Sequence, residues 1–238
     1  MGKRLPFVLA LALAAAACTS GGRELVGQDV VAVTPWTLPE VSRYRLVDGD
    51  EVKGSGVLRV EEASADEVRF TQSFQGEGFS DEVVAVVDRS MLRPKRVERV
   101  IEGPQGARRW EVSYEGGLAG VRQNTEKEER TDELQVPTHS YDSSSDVFLW
   151  RTLDFSMGYE ATYIDILTAT LAKPQIVSMM LRVVGKESVE VPGGRFEAWK
   201  LEIRSSGRGQ RAWYADNEGR TLVRYDNGDV VFELESVD

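Results

Sequence analysis

Apolar and polar residues alternate with a period of two along most of this chain. Val68 and Phe70 alternate with Arg69 and Thr71. Trp110, Val112 and Tyr114 alternate with Arg109, Glu111, Ser113 and Glu115. Near the C-terminus, Trp199, Leu201 and Ile203 alternate with Lys200, Glu202 and Arg204, and Val230, Phe232 and Leu234 with Val231, Glu233 and Glu235. A strand turns successive side chains to opposite faces, so this period predicts strands with one buried face. Turn formers separate the runs: Asp48-Gly49, Gly103-Pro104, Gly116-Gly117, Pro192-Gly193-Gly194, Asn217-Glu218-Gly219 and Asn227-Gly228. Strands joined by such tight turns are antiparallel. The expected fold is mainly β, a single curved antiparallel sheet or half-barrel of roughly ten strands with one short helix.

The helix belongs where the alternation fails. Asp142-Ser143-Ser144-Ser145-Asp146 supplies several N-cap candidates, and Val147, Phe148, Leu149, Trp150 and Leu153 follow, which predicts a short helix over 145–153 with an apolar face. Residues 159–171 fit a strand or a covering segment, and 176–184 a strand. The charged stretch 125–133 reads as an exposed loop or hairpin end, and the proline-bounded apolar run 30–39 as an extended segment laid across the domain.

The extreme N-terminus follows neither pattern. Lys3 and Arg4 precede an apolar run over 5–17, which is too short for the roughly 20 residues that span a bilayer. A charged start, a short apolar stretch and closing small residues describe a secretory signal, here 1–17. It ends Ala15-Ala16-Ala17-Cys18, with the chain's only cysteine at the cleavage point. Lipoprotein processing would alkylate Cys18. Ordinary A-x-A cleavage would leave a free thiol on a secreted protein. The first reading anchors the chain to a membrane through its N-terminal lipid, because diacylation plus an amide-linked chain exceeds the two-chain requirement for stable attachment. Residues 18–29 are then lipidated cysteine and tether, and 30–238 a single β domain in the cell envelope. Thr19 rather than Asp follows Cys18, which resembles the outer-membrane signal where the organism has an outer membrane.

Charge narrows the partners. The chain has 39 acidic against 29 basic residues, a net charge of −10, and loss of Lys3 and Arg4 makes it more acidic. Such a balance argues against nucleic acid, which needs a basic face, and against a polybasic membrane patch. His139, the single histidine, sits in the loop-like Pro137-Thr138-His139-Ser140 and lacks triad partners nearby. One histidine and one cysteine do not make a zinc site. Gly54-Ser55-Gly56 and Gly207-Arg208-Gly209 lack the helix and the Lys-Ser/Thr of a phosphate loop. Carboxylates are plentiful, but no pair stands in an apolar sequence setting that would raise one pKa. A non-catalytic protein without cofactors is expected.

Aromatic residues are the remaining candidates. Trp110, Trp199 and Trp213 lie on strand faces, and Phe148 and Trp150 on the expected helix. Together they either fill one core or line an apolar pocket for a lipid, an acyl chain or a greasy peptide. In the first case the protein is a structural or interaction lipoprotein contacting other envelope proteins.

The C-terminal part also carries a resemblance. The order runs from Asp146 and Phe148-Leu149-Trp150-Arg151, through Val189-Glu190-Val191-Pro192-Gly193-Gly194-Arg195-Phe196-Glu197-Ala198-Trp199-Lys200-Leu201, to Trp213-Tyr214-Ala215-Asp216 and Leu222-Val223-Arg224-Tyr225. Over 141–237 this resembles the TapB-like group of bacterial envelope β proteins of unknown function. That group is similar to carriers and receptors of lipoprotein localisation, whose open curved sheet is closed by helices around an apolar cavity. The resemblance implies such a sheet and cavity here, and implies no catalytic residue.

Overall fold

The computed structural model describes residues 27–170, 173–205 and 208–238; Cys18 and the signal segment lie outside them. Eight strands form the N-terminal meander: β1 (Glu40–Asp48), β2 (Glu51–Ser64), β3 (Glu67–Gly76), β4 (Phe79–Asp88), β5 (Pro94–Glu102), β6 (Arg108–Glu115), β7 (Leu118–Thr125) and β8 (Glu129–Gln135). The short β9 (Ser140–Asp142) leads into a helical segment. The C-terminal meander follows: β10 (Glu160–Leu167), β11 (Gln175–Val191), β12 (Gly194–Ser205), β13 (Arg208–Ala215), β14 (Leu222–Asp226) and β15 (Val231–Val237).

All of them join one open sheet of 15 strands, ordered β8 to β1, then β15 down to β9. The seam pairs β1 with β15. Every pairing is antiparallel except β9 with β10, which is parallel. The expected single antiparallel sheet is present, but with 15 strands rather than about ten. One unread strand explains part of the difference. β8, Glu-Arg-Thr-Asp-Glu-Leu-Gln, buries no residue fully, so it carries no apolar stripe to read. It is an edge strand, where charge discourages pairing with another chain. Of the two readings of 125–133, the hairpin end is the one present: the end of β7, a turn and most of β8.

The alternation fixes which face is interior. Val68, Phe70, Ala85, Val97, Trp110 and Val112 are buried from the N-terminal meander, and Leu181, Val183, Leu201, Ile203 and Ala212 from the C-terminal one. The turn chemistry also holds. Gly194 has φ +129, a region that L side chains rarely adopt, and a Cβ on Gly193 would lie 3.0 Å from the Glu235 carbonyl oxygen.

The helical segment lies inside the curve. It comprises a 3₁₀ turn at Ser143–Ser145, one α turn, α1 (Asp146–Leu149), and a second 3₁₀ turn at Trp150–Thr152. Asp142 caps it, accepting from the Ser144 amide at 2.8 Å. A helix this short has little stability of its own, so tertiary contacts must hold it. They come from all sides. Gln72 of β3 donates to the Ser144 carbonyl at 2.6 Å, and Tyr214 of β13 to the Val147 carbonyl at 2.8 Å. The extended segment 27–37 crosses behind it, where the Ala32 amide donates to the Thr152 carbonyl at 2.9 Å. Phe148 and Trp150 project in different directions, yet both are buried. Phe148 stacks on Phe70 at 4.3 Å, whereas Trp150 meets Tyr225 edge-on at 5.8 Å.

Side chains also tie the two meanders together away from the seam. Arg99 of β5 donates to the Ala169 carbonyl at 2.7 Å, and Trp110 of β6 to the Thr170 carbonyl at 3.0 Å. Both carbonyls lie just beyond β10, so the sheet curls until its N-terminal strands reach the far end of the C-terminal meander.

Candidate functional site

The curl leaves a cavity of about 500 Å³ beside the helical segment. Phe74 of β3 and Phe232 of β15 form one wall, and Val177 and Met179 of β11 another. Trp150 and Tyr225 border the space, and Asp146 and Asp165 also line it. Phe74 and Phe232 meet edge-on at 5.2 Å, and Tyr225 packs on Phe232 at 5.4 Å. The wall is thus a continuous aromatic surface built across the seam between the meanders.

The polar side of the cavity is unusual because its carboxyls are buried. Asp146 accepts from the Tyr163 hydroxyl at 2.6 Å, which in turn accepts from Trp150 Nε1 at 2.8 Å. Asp142 accepts from Thr168 Oγ1 at 2.6 Å and from the Tyr114 hydroxyl. Asp165 is 1% exposed, and its Oδ1 has no hydrogen-bond partner. An unpaired buried polar atom is rare and costly in a folded protein. Burial is the main cause that pushes the Asp165 carboxyl well above its ordinary value, with Asp146 and Asp142 adding to it. Burial likewise raises Asp146 to about 8, opposed by the bond from Tyr163 and assisted by Asp142. Protonation removes the penalty of placing charge in an apolar interior.

These two carboxyls correct the expectation that no acid occupies an apolar setting. One sequence signal existed. Asp165 interrupts the apolar run Tyr163-Ile164-Asp165-Ile166-Leu167, but in a half-buried strand it reads as a solvent-facing residue.

The five aromatic candidates do not converge. Only Trp150 lines the cavity. Phe148 lies beneath it against Phe70. Trp110 is buried under the Thr170 carbonyl on β6. Trp199 stacks with Phe155 at 6.2 Å and donates to Asp216 at 2.9 Å. Trp213 pairs with Lys200 and Arg224 on the face of β13 opposite Ala212. There it donates to Glu187 at 2.6 Å beneath the Lys200 ammonium, 5.3 Å from its ring. The three strand tryptophans therefore build no common pocket wall, although Trp110 and Trp213 belong to one buried cluster and Trp199 packs against it.

A second groove, of about 590 Å³, crosses β5 to β8 between Arg96, Glu98, Glu111, Arg122 and Glu129. Arg122 and Glu111 pair there. None of its polar atoms is both buried and unpartnered, so the smaller cavity is the better candidate. His139 lies in a turn with Asp29 at 2.9 Å, outside both. Among the described residues, no group of histidine, cysteine and carboxylate side chains is placed to hold a metal ion.

Residues 40–235 match the family model described as a protein of unknown function, DUF3108, and the chain belongs to that family. No curated protein matches it. Among solved structures, it is similar to a β-barrel-like protein of the domain of unknown function DUF1849 from Brucella abortus, with TM-score 0.53 and 14% identity over 87% of this chain and 98% of that one. A candidate exported protein with a YmcC-like fold from Bacteroides fragilis aligns with TM-score 0.31 and 10% identity over 88% and 99% of the two chains. A candidate lipoprotein from Parabacteroides distasonis aligns with TM-score 0.30 and 14% identity over 89% and 100%. The Brucella likeness establishes a shared sheet architecture and nothing about ligand.

Proposed function

We propose that this DUF3108 protein is a lipid-anchored, non-catalytic envelope protein that binds an apolar ligand inside its curled sheet. The observation that carries this reading is the cavity of about 500 Å³ bounded by Phe74, Trp150, Met179, Tyr225 and Phe232. Binding cavities for small molecules are of this size, and this one sets an aromatic and aliphatic wall against a polar side that includes Gln72, Asp146, Asp165 and Gln210. Anchoring rests on the signal-like 1–17 and on Cys18 at its end, and the resemblance of 141–237 to the TapB-like group is in keeping with an envelope protein.

Two measurements test the two parts. Native mass spectrometry of protein purified from its own envelope should reveal added mass from a bound apolar molecule. Protein without added mass that also fails to bind the neutral dye Nile red would overturn carriage. It would leave a structural or interaction lipoprotein, whose exposed edges or loops contact other envelope proteins. For the anchor, Cys18→Ser should abolish labelling by a fatty-acid analogue and move the protein to the soluble envelope fraction, or leave it unprocessed. An unlabelled, already soluble wild type would sink the lipoprotein reading.

A further inference from the structure

The chemistry of the cavity lining restricts the ligand's head group, an inference that rests on the proposed binding function. Two acids, Asp146 and Asp165, line the cavity, and neither lysine, arginine nor histidine does. The remaining polar side chains are amides and hydroxyls, including Gln72, Gln175 and Gln210. A carboxylate or phosphate head would lose its water and find no cation to replace it, which is the expensive way to bury a charge.

Asp165 supplies the positive half of the selection. It is 1% exposed, it lines the cavity, and its Oδ1 lacks a hydrogen-bond partner within the protein. The atom is covered, and a ligand hydroxyl or amide N–H that shifts its cover would satisfy it, while aromatic and aliphatic walls take the chain. A buried acceptor left unpaired disfavours analogues lacking the donor. We propose that the cavity selects amphiphiles with an uncharged hydrogen-bonding head, such as a long-chain alcohol, and rejects those with an anionic head. Asp165 is the group that reads the head. The carboxyl acts in its neutral form, as its burial and the neighbouring Asp146 and Asp142 favour.

The test is displacement of Nile red from the purified full chain at neutral pH by dodecan-1-ol, dodecanoate and dodecylamine, which share one chain and differ in the head. Dodecan-1-ol should displace the dye at a concentration at least about tenfold lower than dodecanoate, the size of effect that one lost polar contact produces. Asp165→Asn should keep this preference, because the amide oxygen still accepts a hydrogen bond without charge. Gln175→Arg, which adds a cation at an exposed position bordering the cavity, should bring dodecanoate up towards the alcohol. Dodecanoate matching or beating the alcohol in the wild type would overturn the inference. So would a preference for dodecylamine that Asp165→Asn abolishes, since that means an ionised carboxylate reads a cation. If the dye binds and the heads are not distinguished, head selection fails alone. If the dye does not bind at all, the binding function itself fails and takes head selection with it.

Discussion

The two meanders hold themselves together in different ways. The N-terminal one, β1 to β8, follows simple alternation: Val68, Phe70, Val83, Ala85, Val97, Val112 and Val121 point inward, and charged residues cover most of the outside. Its inward ion pair, Arg99 with Asp81, bonds at 2.9 and 2.6 Å and keeps a quarter of the Arg99 side chain exposed. The C-terminal half instead encloses polar groups: Asp142, Asp146, Arg151, Tyr163, Asp165 and Tyr214 are all buried, and most of the side-chain hydrogen bonds that lock the helical segment involve them. Apolar burial is non-directional and tolerates exchange of side chains, whereas a buried polar network fixes one arrangement and leaves space where its geometry requires it. The cavity borders that network at Asp146, Trp150 and Asp165 and meets the N-terminal meander at Gln72 and Phe74.

The largest effects should come from the helical segment. Phe148→Ala removes the ring stacked on Phe70 and should lower stability by about 3–5 kcal/mol. The denaturant midpoint should fall with an unchanged slope. A loss below about 1 kcal/mol would mean that the segment is dispensable to the core.

The ion pairs sharpen the contrast between the halves. Arg151 donates to both carboxylate oxygens of Glu40, at 2.6 and 2.8 Å, and its side chain is 5% exposed. Arg151→Ala removes a buried guanidinium from a Glu40 carboxylate that is 13% exposed and from the Gly219 carbonyl, and should cost about 3–5 kcal/mol. Arg99→Ala in the more open N-terminal pair should cost clearly less, on the order of 1–3 kcal/mol after solvent screening. Equal losses by denaturant unfolding would erase the distinction drawn between the meanders.

A smaller effect should follow pH. Burial raises the Asp146 carboxyl to about 8, against about 3.9 for a free aspartate. The folded chain therefore keeps a proton that the unfolded chain has released. The contribution is fully present below about pH 4 and is lost as pH rises through about 8. Asp165 shifts in the same direction. Thermal unfolding across this window should show wild-type stability falling by about 2 kcal/mol or more, and Asp146→Asn should flatten the fall. A wild-type profile that rises from pH 4 to 8, with Asp146→Asn unchanged in slope, would show that the carboxyl is ionised and paired.

Much of the strand pattern was legible, and the reason is local. Period-two alternation placed Val68, Phe70, Trp110 and Val112 on the buried face because β3 and β6 each have one interior side. Asp142 could be read as a cap because capping involves neighbours two or three residues away. Three features escaped. β8 carries no stripe because an edge strand buries neither face. Trp213 reads as core by type and is buried, but its cover is polar, because Lys200, Arg224 and Glu187 lie around its ring. Asp165 reads as solvent-facing, yet the helical segment and β11 close over it.

By itself, the sequence determined what depends on short chain distances. It set the β class through alternation, the tight connections through Asn-Gly and Gly-Gly pairs, the site of the one helical segment, and the signal-like start ending at Cys18. The tertiary structure alone decided what depends on curvature. β3, β11 and the β14–β15 hairpin are remote from one another in the chain, and only the curl of a 15-stranded sheet brings Phe74, Met179, Tyr225 and Phe232 around one space with Asp146 and Asp165. The protonation of those acids is decided there too, because a carboxyl's pKa reflects the water it loses, and that loss is set by residues the local sequence does not contain.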